Sequence, residues 1–248
     1  MKKTVKIAIL SISLAAFTSL FSSCGQSYNT IRKMQKLEEG VDSPTTKEEL
    51  KEAIAKYDKR AIDLATTQAQ EGVWWKILGT RYLDEQEYGK AYECFQQAVE
   101  IYPNNANLYF YLAVCAGYIS HAKEDWNATA DGTAAVMKQR YLRTSETAYL
   151  RAIAINPNYY RALYGLGVLY VFELNESEKA IPYLEQYMNA QVKDTDGMFV
   201  LARAYYDNLE FDKAVALYDR IIEINPNADK VAQAEANKKK VLDAQYSN

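Results

Sequence analysis

The sequence predicts an all-α solenoid of stacked helical hairpins, closed by a capping helix at each end. Three observations carry this. The 248 residues include only ten Gly and five Pro, too few for an all-β or loop-rich fold and compatible with long helices. Three segments end alike, in Ile101-Tyr102-Pro103-Asn104, Ile155-Asn156-Pro157-Asn158 and Ile224-Asn225-Pro226-Asn227. Their spacing is regular: Pro103 to Pro157 is one 34-residue period with about 20 extra residues, and Pro157 to Pro226 is two periods with one extra residue. A fixed period of this size marks stacked supersecondary units that cannot bury their apolar faces alone.

The first element is an address. Lys2, Lys3 and Lys6 precede an apolar run from Ile7 to Phe21, which is short for a membrane span and ends in Ser22 and Ser23 before Cys24 and Gly25. The stretch resembles a bacterial lipoprotein signal, with Phe21 standing where that signal usually carries Leu. The resemblance implies removal of residues 1–23 and lipidation (palmitate) of Cys24, which would hold the chain in the cell envelope, on a periplasmic or outer face, with its domain in water. Residues 24–45 read as a tether, with Ile31, Met34 and Leu37 at helical spacing before Gly40 and Pro44 interrupt. Residues 46–71 read as an N-terminal capping helix: Thr46 and Glu49 form a capping-box pair, and Leu50, Ile54, Tyr57, Ala61 and Leu64 share a face.

Four units follow over residues 72–228. Residues 72–105 carry Trp75, Leu78, Gly79, Tyr82, Ala91, Phe95, Ala98 and Pro103. Residues 195–228 carry Met198, Leu201, Ala202, Tyr205, Ala214, Tyr218, Ile221 and Pro226 in step with them. In between, Tyr109, Leu112, Ala113 and Ala116 open a unit that resumes at Ser145, Tyr149, Ala152 and Pro157 after an insertion at about 119–138. Leu163, Leu166, Gly167 and Tyr170 open the next, whose second half (Ala180, Leu184) is displaced by one residue, with the slip expected near Asn175–Ser177. The full pattern resembles the tetratricopeptide repeat. That resemblance implies two antiparallel helices per unit, small residues where they touch, and a right-handed superhelix. A C-terminal capping helix is expected over 229–248, with Lys238, Lys239 and Lys240 on its solvated side, and Pro182 is expected to kink the second helix of the third unit or to delay its start.

Composition excludes several functions. A net charge of −3 argues against nucleic acid as a partner. His121 is the single histidine, no phosphate-cradling glycine loop, GxSxG or HExxH occurs, and so no catalytic residue, metal site or cofactor is assigned. His121 reads as a loop residue of the insertion, beside Glu124 and Asp125. Cys94 and Cys115 read as two buried thiols, with a disulfide geometrically open.

The functional lead comes from the resemblance, which implies that positions 2, 5, 9, 12 and 13 of each first helix line a concave groove. These positions hold Lys76 in the first unit and Phe110 and Tyr118 in the second. They hold Arg161, Tyr164, Val171 and Phe172 in the third, and Phe199, Arg203 and Tyr206 in the fourth. Aromatic anchors with a few cations suit recognition of a partner protein or peptide. Thr80 follows Lys76 where the family's chaperone-tail clamp needs Asn, so that clamp is not expected. The insertion, with Trp126, reads as a lid or a docking surface. The expected function is that of a non-enzymatic, membrane-anchored scaffold or accessory factor. The alternative is a carrier of a small apolar or amphipathic ligand, serving a transporter, in which the groove is a closed pocket.

Overall fold

The computed structural model describes residues 46–121, 133–225 and 227–247. The expected signal, lipidation site Cys24, tether and Trp126 lie outside these residues. Nine helices make up the described residues: α1 (Lys47–Asp84), α2 (Tyr88–Ile101), α3 (Ala106–His121), α4 (Thr133–Ile155), α5 (Tyr160–Val168, running into a π-turn at Leu169–Glu173), α6 (Ser177–Ala190), α7 (Thr195–Asp207), α8 (Phe211–Ile224) and α9 (Ala228–Ser247). None of them is long and apolar enough to cross a membrane.

The chain divides into two compact parts, Met1–Leu64 and Ala65–Asn248. In the first, the capping box forms: the Thr46 amide donates to Glu49 Oε2 at 3.0 Å and the Glu49 amide to Thr46 Oγ1 at 3.2 Å. Leu50, Ile54, Tyr57 and Leu64 are exposed. The helix boundary expected at residue 71 is absent, since α1 continues to Asp84. Between Leu64 and Gly72 there is no proline and no glycine to stop it, and one buried glycine does not end a helix.

In the second part, successive helices pack as hairpins, and each repeats the same contact. Small residues sit where backbones approach: Ala91, Ala98, Ala113, Ala152, Ala180, Ala202 and Ala214 are wholly buried. Large residues fill the space between them, as Phe95, Leu166, Leu184 and Ile221 do. Gly167 shows how tight the approach is, because a Cβ built there would stand 2.5 Å from Leu184 Cγ. Ser145 takes the small position of the second unit, and its hydroxyl donates to the Ala113 carbonyl at 2.8 Å, which satisfies a polar group in the core. Cys94 and Cys115 are free and buried, and burial raises the Cys115 thiol to about 12.

The one-residue slip lies upstream of where the sequence suggests. Gln86, Asn175 and Leu209 all have positive φ, at 63°, 53° and 61°. They occupy the same place between the two helices of their units, so Asn175 already stands in the displaced register. The bond that closes this turn runs from Glu87 N to Tyr82 O and from Glu210 N to Tyr205 O, but from Glu176 N to Tyr170 O, one residue further. The extra residue is therefore taken up inside the first helix, as the π-turn. Downstream, α6 starts at Ser177 and contains Pro182, so the late start does not occur. Proline at the sixth helical position leaves the Glu178 carbonyl without its intrahelical donor.

A polar cluster ties the second unit to the third. Arg143 on α4 donates to Glu146 Oε2 at 2.9 Å and pairs with both oxygens of Glu176, while the Tyr170 hydroxyl donates to Glu146 Oε1 at 2.8 Å. Arg143 and Lys179 hold the Glu176 carboxyl down at about 2.

Candidate functional site

The aromatic residues expected in a groove line three neighbouring depressions. The first has a volume of about 540 Å³ and is formed where the second and third units meet, with Phe110, Arg161, Tyr164 and Val168 on its walls. Phe110 is only 7% exposed and stacks edge-on with Tyr159. The Arg161 guanidinium lies over the Phe110 ring, 4.3 Å from its centroid. Tyr164 is half-buried beside Tyr187, and burial raises its phenol. Phe110 thus anchors the packing and shows one face to the cavity, whereas Arg161 stands at the surface.

The second depression, about 240 Å³, shares Tyr149, Gly165 and Val168 with the first and adds Val114, Tyr118, His121 and Glu173. Tyr118 is half exposed and stacks on Tyr88, ring centroids 4.4 Å apart. His121 is not the loop residue the sequence suggests. It ends α3, and its Nε2 lies 3.1 Å from Glu173 Oε1 in the π-turn, with Lys138 Nζ 3.8 Å from the other oxygen. The helix extends this far because Ile119 and Ser120 are buried and continue the apolar face of α3. Of the insertion at about 119–138, residues 119–121 belong to α3 and residues 133–138 to a lengthened α4.

The third depression, about 320 Å³, brings together Phe172, Phe199, Arg203 and Tyr206 with Gln233, Asn237 and Lys240 of α9. Counted as the first helix of an unfinished fifth unit from residue 229, α9 places those three at positions 5, 9 and 12. The end helix lines the groove instead of merely capping it. Phe172 is 53% exposed, and Phe199 and Tyr206 are half-buried against Tyr218 and Phe211. Arg203 Nε bonds Asp207 Oδ1 at 2.8 Å, and its guanidinium lies 5.8 Å from the Tyr206 ring centroid.

Two expected groove residues fall elsewhere. Val171 is buried, because the π-turn advances the register so that Phe172 takes the place Tyr206 holds in the next unit. Lys76 stands on α1 and lines none of the three depressions. The structure also adds residues that the pattern hides. Tyr149 occupies a second-helix position that reads as core, yet its ring separates the first two depressions. Tyr187 stands where other units carry Ala98 or Ala152, and that mismatch is a signal legible in the sequence. Its hydroxyl donates to Asp194 Oδ2 at 2.5 Å, which fixes the ring in the cavity wall. Burial followed by this hydrogen bond raises the Tyr187 phenol well above its ordinary range. Among the described residues no group of three or more His, Cys, Asp or Glu side chains could hold a metal ion.

Comparison with known proteins places this architecture. Family models described as tetratricopeptide repeat match residues 73–105, 94–128, 148–182 and 171–229. A TPR repeat-containing protein of Borreliella burgdorferi is 24% identical over 233 residues, covering 92% of this chain and 94% of that one. Among solved structures, MamA (residues 41 to the end) from Desulfovibrio magneticus aligns with a TM-score of 0.53 at 14% identity, covering 72% of this chain and 97% of that one. YrrB, described as a TPR protein with an unusual peptide-binding site, aligns at 0.51 and 16% identity, covering 70% of this chain and 84% of its own. These likenesses show a shared solenoid fold.

Proposed function

The chain belongs to the tetratricopeptide-repeat family, and from that premise we propose that it holds a partner protein or peptide against the aromatic face built by α3, α5, α7 and α9. The observation that carries this is that aromatic side chains from three successive units line depressions, two of which share a wall, with Tyr118 and Phe172 half exposed. Exposed rings in a row are costly in water, and they mark recognition surfaces when polar groups rim them. In this reading the protein is a non-enzymatic scaffold or accessory factor of the cell envelope, anchored through lipid on Cys24. YrrB, with its described peptide-binding site, shares the fold that such a role needs.

The test is photo-crosslinking in cells. A photoreactive residue replaces Tyr206 in the groove, and in a separate strain Leu209, which is exposed on a turn and lines none of the depressions. A discrete protein adduct from Tyr206 and none from Leu209 is the expected result. A small mass increment without a protein adduct would favour the small-ligand alternative. The anchor is tested by Cys24→Ser, which should release the chain from the membrane fraction; a variant that stays membrane-bound contradicts it.

A further inference from the structure

The N-terminal part of α1 carries an apolar seam that stands open to solvent. Leu50, Ile54, Tyr57 and Leu64 are each between 46% and 61% exposed, and Ala61 among them is exposed as well. Their spacing is four, three, four and three residues. That alternation averages about 3.5 residues and makes a stripe one helix wide, narrower than the face a helix turns to a globular core. Lys47 takes the seam position before it, and Gln68 and Glu71 take the two after it, so the apolar run lasts about four turns and stops. A stripe of this width and length fits a second helix of the same kind.

The flanking charges identify that helix. Lys51 and Asp58 hold the same flanking position one heptad apart, both are exposed, and neither makes an ion pair among the described residues. Laid antiparallel, two copies of the seam place Leu50 of each chain over Ala61 of the other and Ile54 over Tyr57, so that a large side chain meets a smaller one at the outer layers. Leu64 then lies against the alkyl stem of Lys47. In the same register Lys51 of each chain comes opposite Asp58 of the other, twice by symmetry. Laid parallel, like residues stack on themselves, Tyr57 on Tyr57 and Ala61 on Ala61. Lys51 and Asp58 then face Thr46 and Ala53, and no charge pair forms. We propose that α1 pairs antiparallel with α1 of a second copy of this chain over residues 47–64, making a two-fold dimer. The seam is short, so the association is reversible.

The experiment co-expresses two differently tagged full-length chains, one with Leu50→Cys and the other with Ala61→Cys, and treats the cells with a short, membrane-permeant bismaleimide. Cys94 and Cys115 are buried, and a strain without the added cysteines is the control. A covalent dimer carrying both tags is the expected result. Either variant expressed alone should give about a tenth of that yield or less, because antiparallel pairing holds like residues about 16 Å apart along the helix. In chains carrying the same cysteines, Lys51→Asp or Asp58→Lys makes both pairs repulsive and should cut the yield about tenfold. Lys51→Asp combined with Asp58→Lys should restore it. Ile54→Asp, at an exposed seam position, should abolish it. All these sites are exposed, so the circular dichroism of the purified chains should not change. No covalent dimer means that something other than a second copy covers this face, and it overturns the proposal. Efficient crosslinking by one variant alone, or a double exchange that fails to restore the yield, overturns it as well.

Discussion

Replacing Gly167 by Ala probes the glycine at which an added Cβ would have the least room. Gly167 and Leu184 are both buried, and the new Cβ would meet Leu184 Cγ at 2.5 Å, well inside contact distance. Leu184 is itself wholly buried, so it cannot swing aside without opening space elsewhere. Overpacking of this kind costs about 1–3 kcal/mol, offset by up to about 1 kcal/mol from the better helix propensity of Ala. The net loss should be about 2 kcal/mol. Leu184→Ala alone should cost about 3 kcal/mol through the cavity it leaves. In that background the methyl at 167 enters vacated space, so the same Gly167→Ala change should become neutral or stabilising by up to about 1 kcal/mol. The double variant should then lie near 2–3 kcal/mol below wild type, not at the additive 5, a coupling typical of residues in contact. Urea unfolding followed by far-UV circular dichroism measures all four chains. If Gly167→Ala stabilises the wild type, or if the two losses simply add, the close approach of α5 and α6 is not what holds this position to glycine.

Other outcomes follow from the same geometry. The Glu176 carboxyl titrates at about 2, below its usual 4.5, so its contribution is complete above about pH 5 and is lost as pH falls toward 2. Since Arg143 is 41% exposed, solvent screening reduces that contribution to about 1 kcal/mol, and Glu176→Gln should lower stability by that much at pH 7 but hardly at all at pH 2. A gap between the two chains that stays constant with pH contradicts the pairing. Leu209 is exposed at positive φ, a conformation costing a branched residue about 1 kcal/mol, so Leu209→Gly should raise the unfolding midpoint. A lowered midpoint would mean that the side chain, not the backbone, matters there. Phe110→Ala should cost about 3–5 kcal/mol, whereas Phe172→Ala at an exposed site should stay within about 0.5 kcal/mol; similar losses at both would return Phe172 to the core.

The repeats were readable because their cause is local. Small residues such as Ala91 and Ala202 must recur where helices touch, and large ones such as Phe95 must recur between them, so the period appears in the residues themselves. The π-turn was harder to place. A one-residue excess between Tyr170 and Ala180 is visible as a change of step, but any backbone segment between them could absorb it, and the choice of Leu169–Glu173 is made by packing of the whole helix. Its consequence for Val171, which turns inward, could not be read from position counting, which places both Val171 and Phe172 in the groove. The same limit hid Tyr149. Its place in the repeat says core, and only the absence of a Cβ at Gly165, on a different helix, lets its hydroxyl reach the wall of the groove. His121 was misplaced because the helix end depends on the burial of Ile119 and Ser120, and on Glu173 waiting in another element.

The most direct test of the account combines the groove crosslink with loss of a single exposed ring. The photoreactive residue is placed at Tyr206 in the wild-type background and in one carrying Phe172→Asp, which adds a charge to the same depression without touching the core. If the aromatic face holds the partner, the adduct is abundant in the first strain and falls at least tenfold in the second, while the circular dichroism of the two purified chains is the same. An adduct of equal yield in both would contradict the claim that this face is where the partner binds.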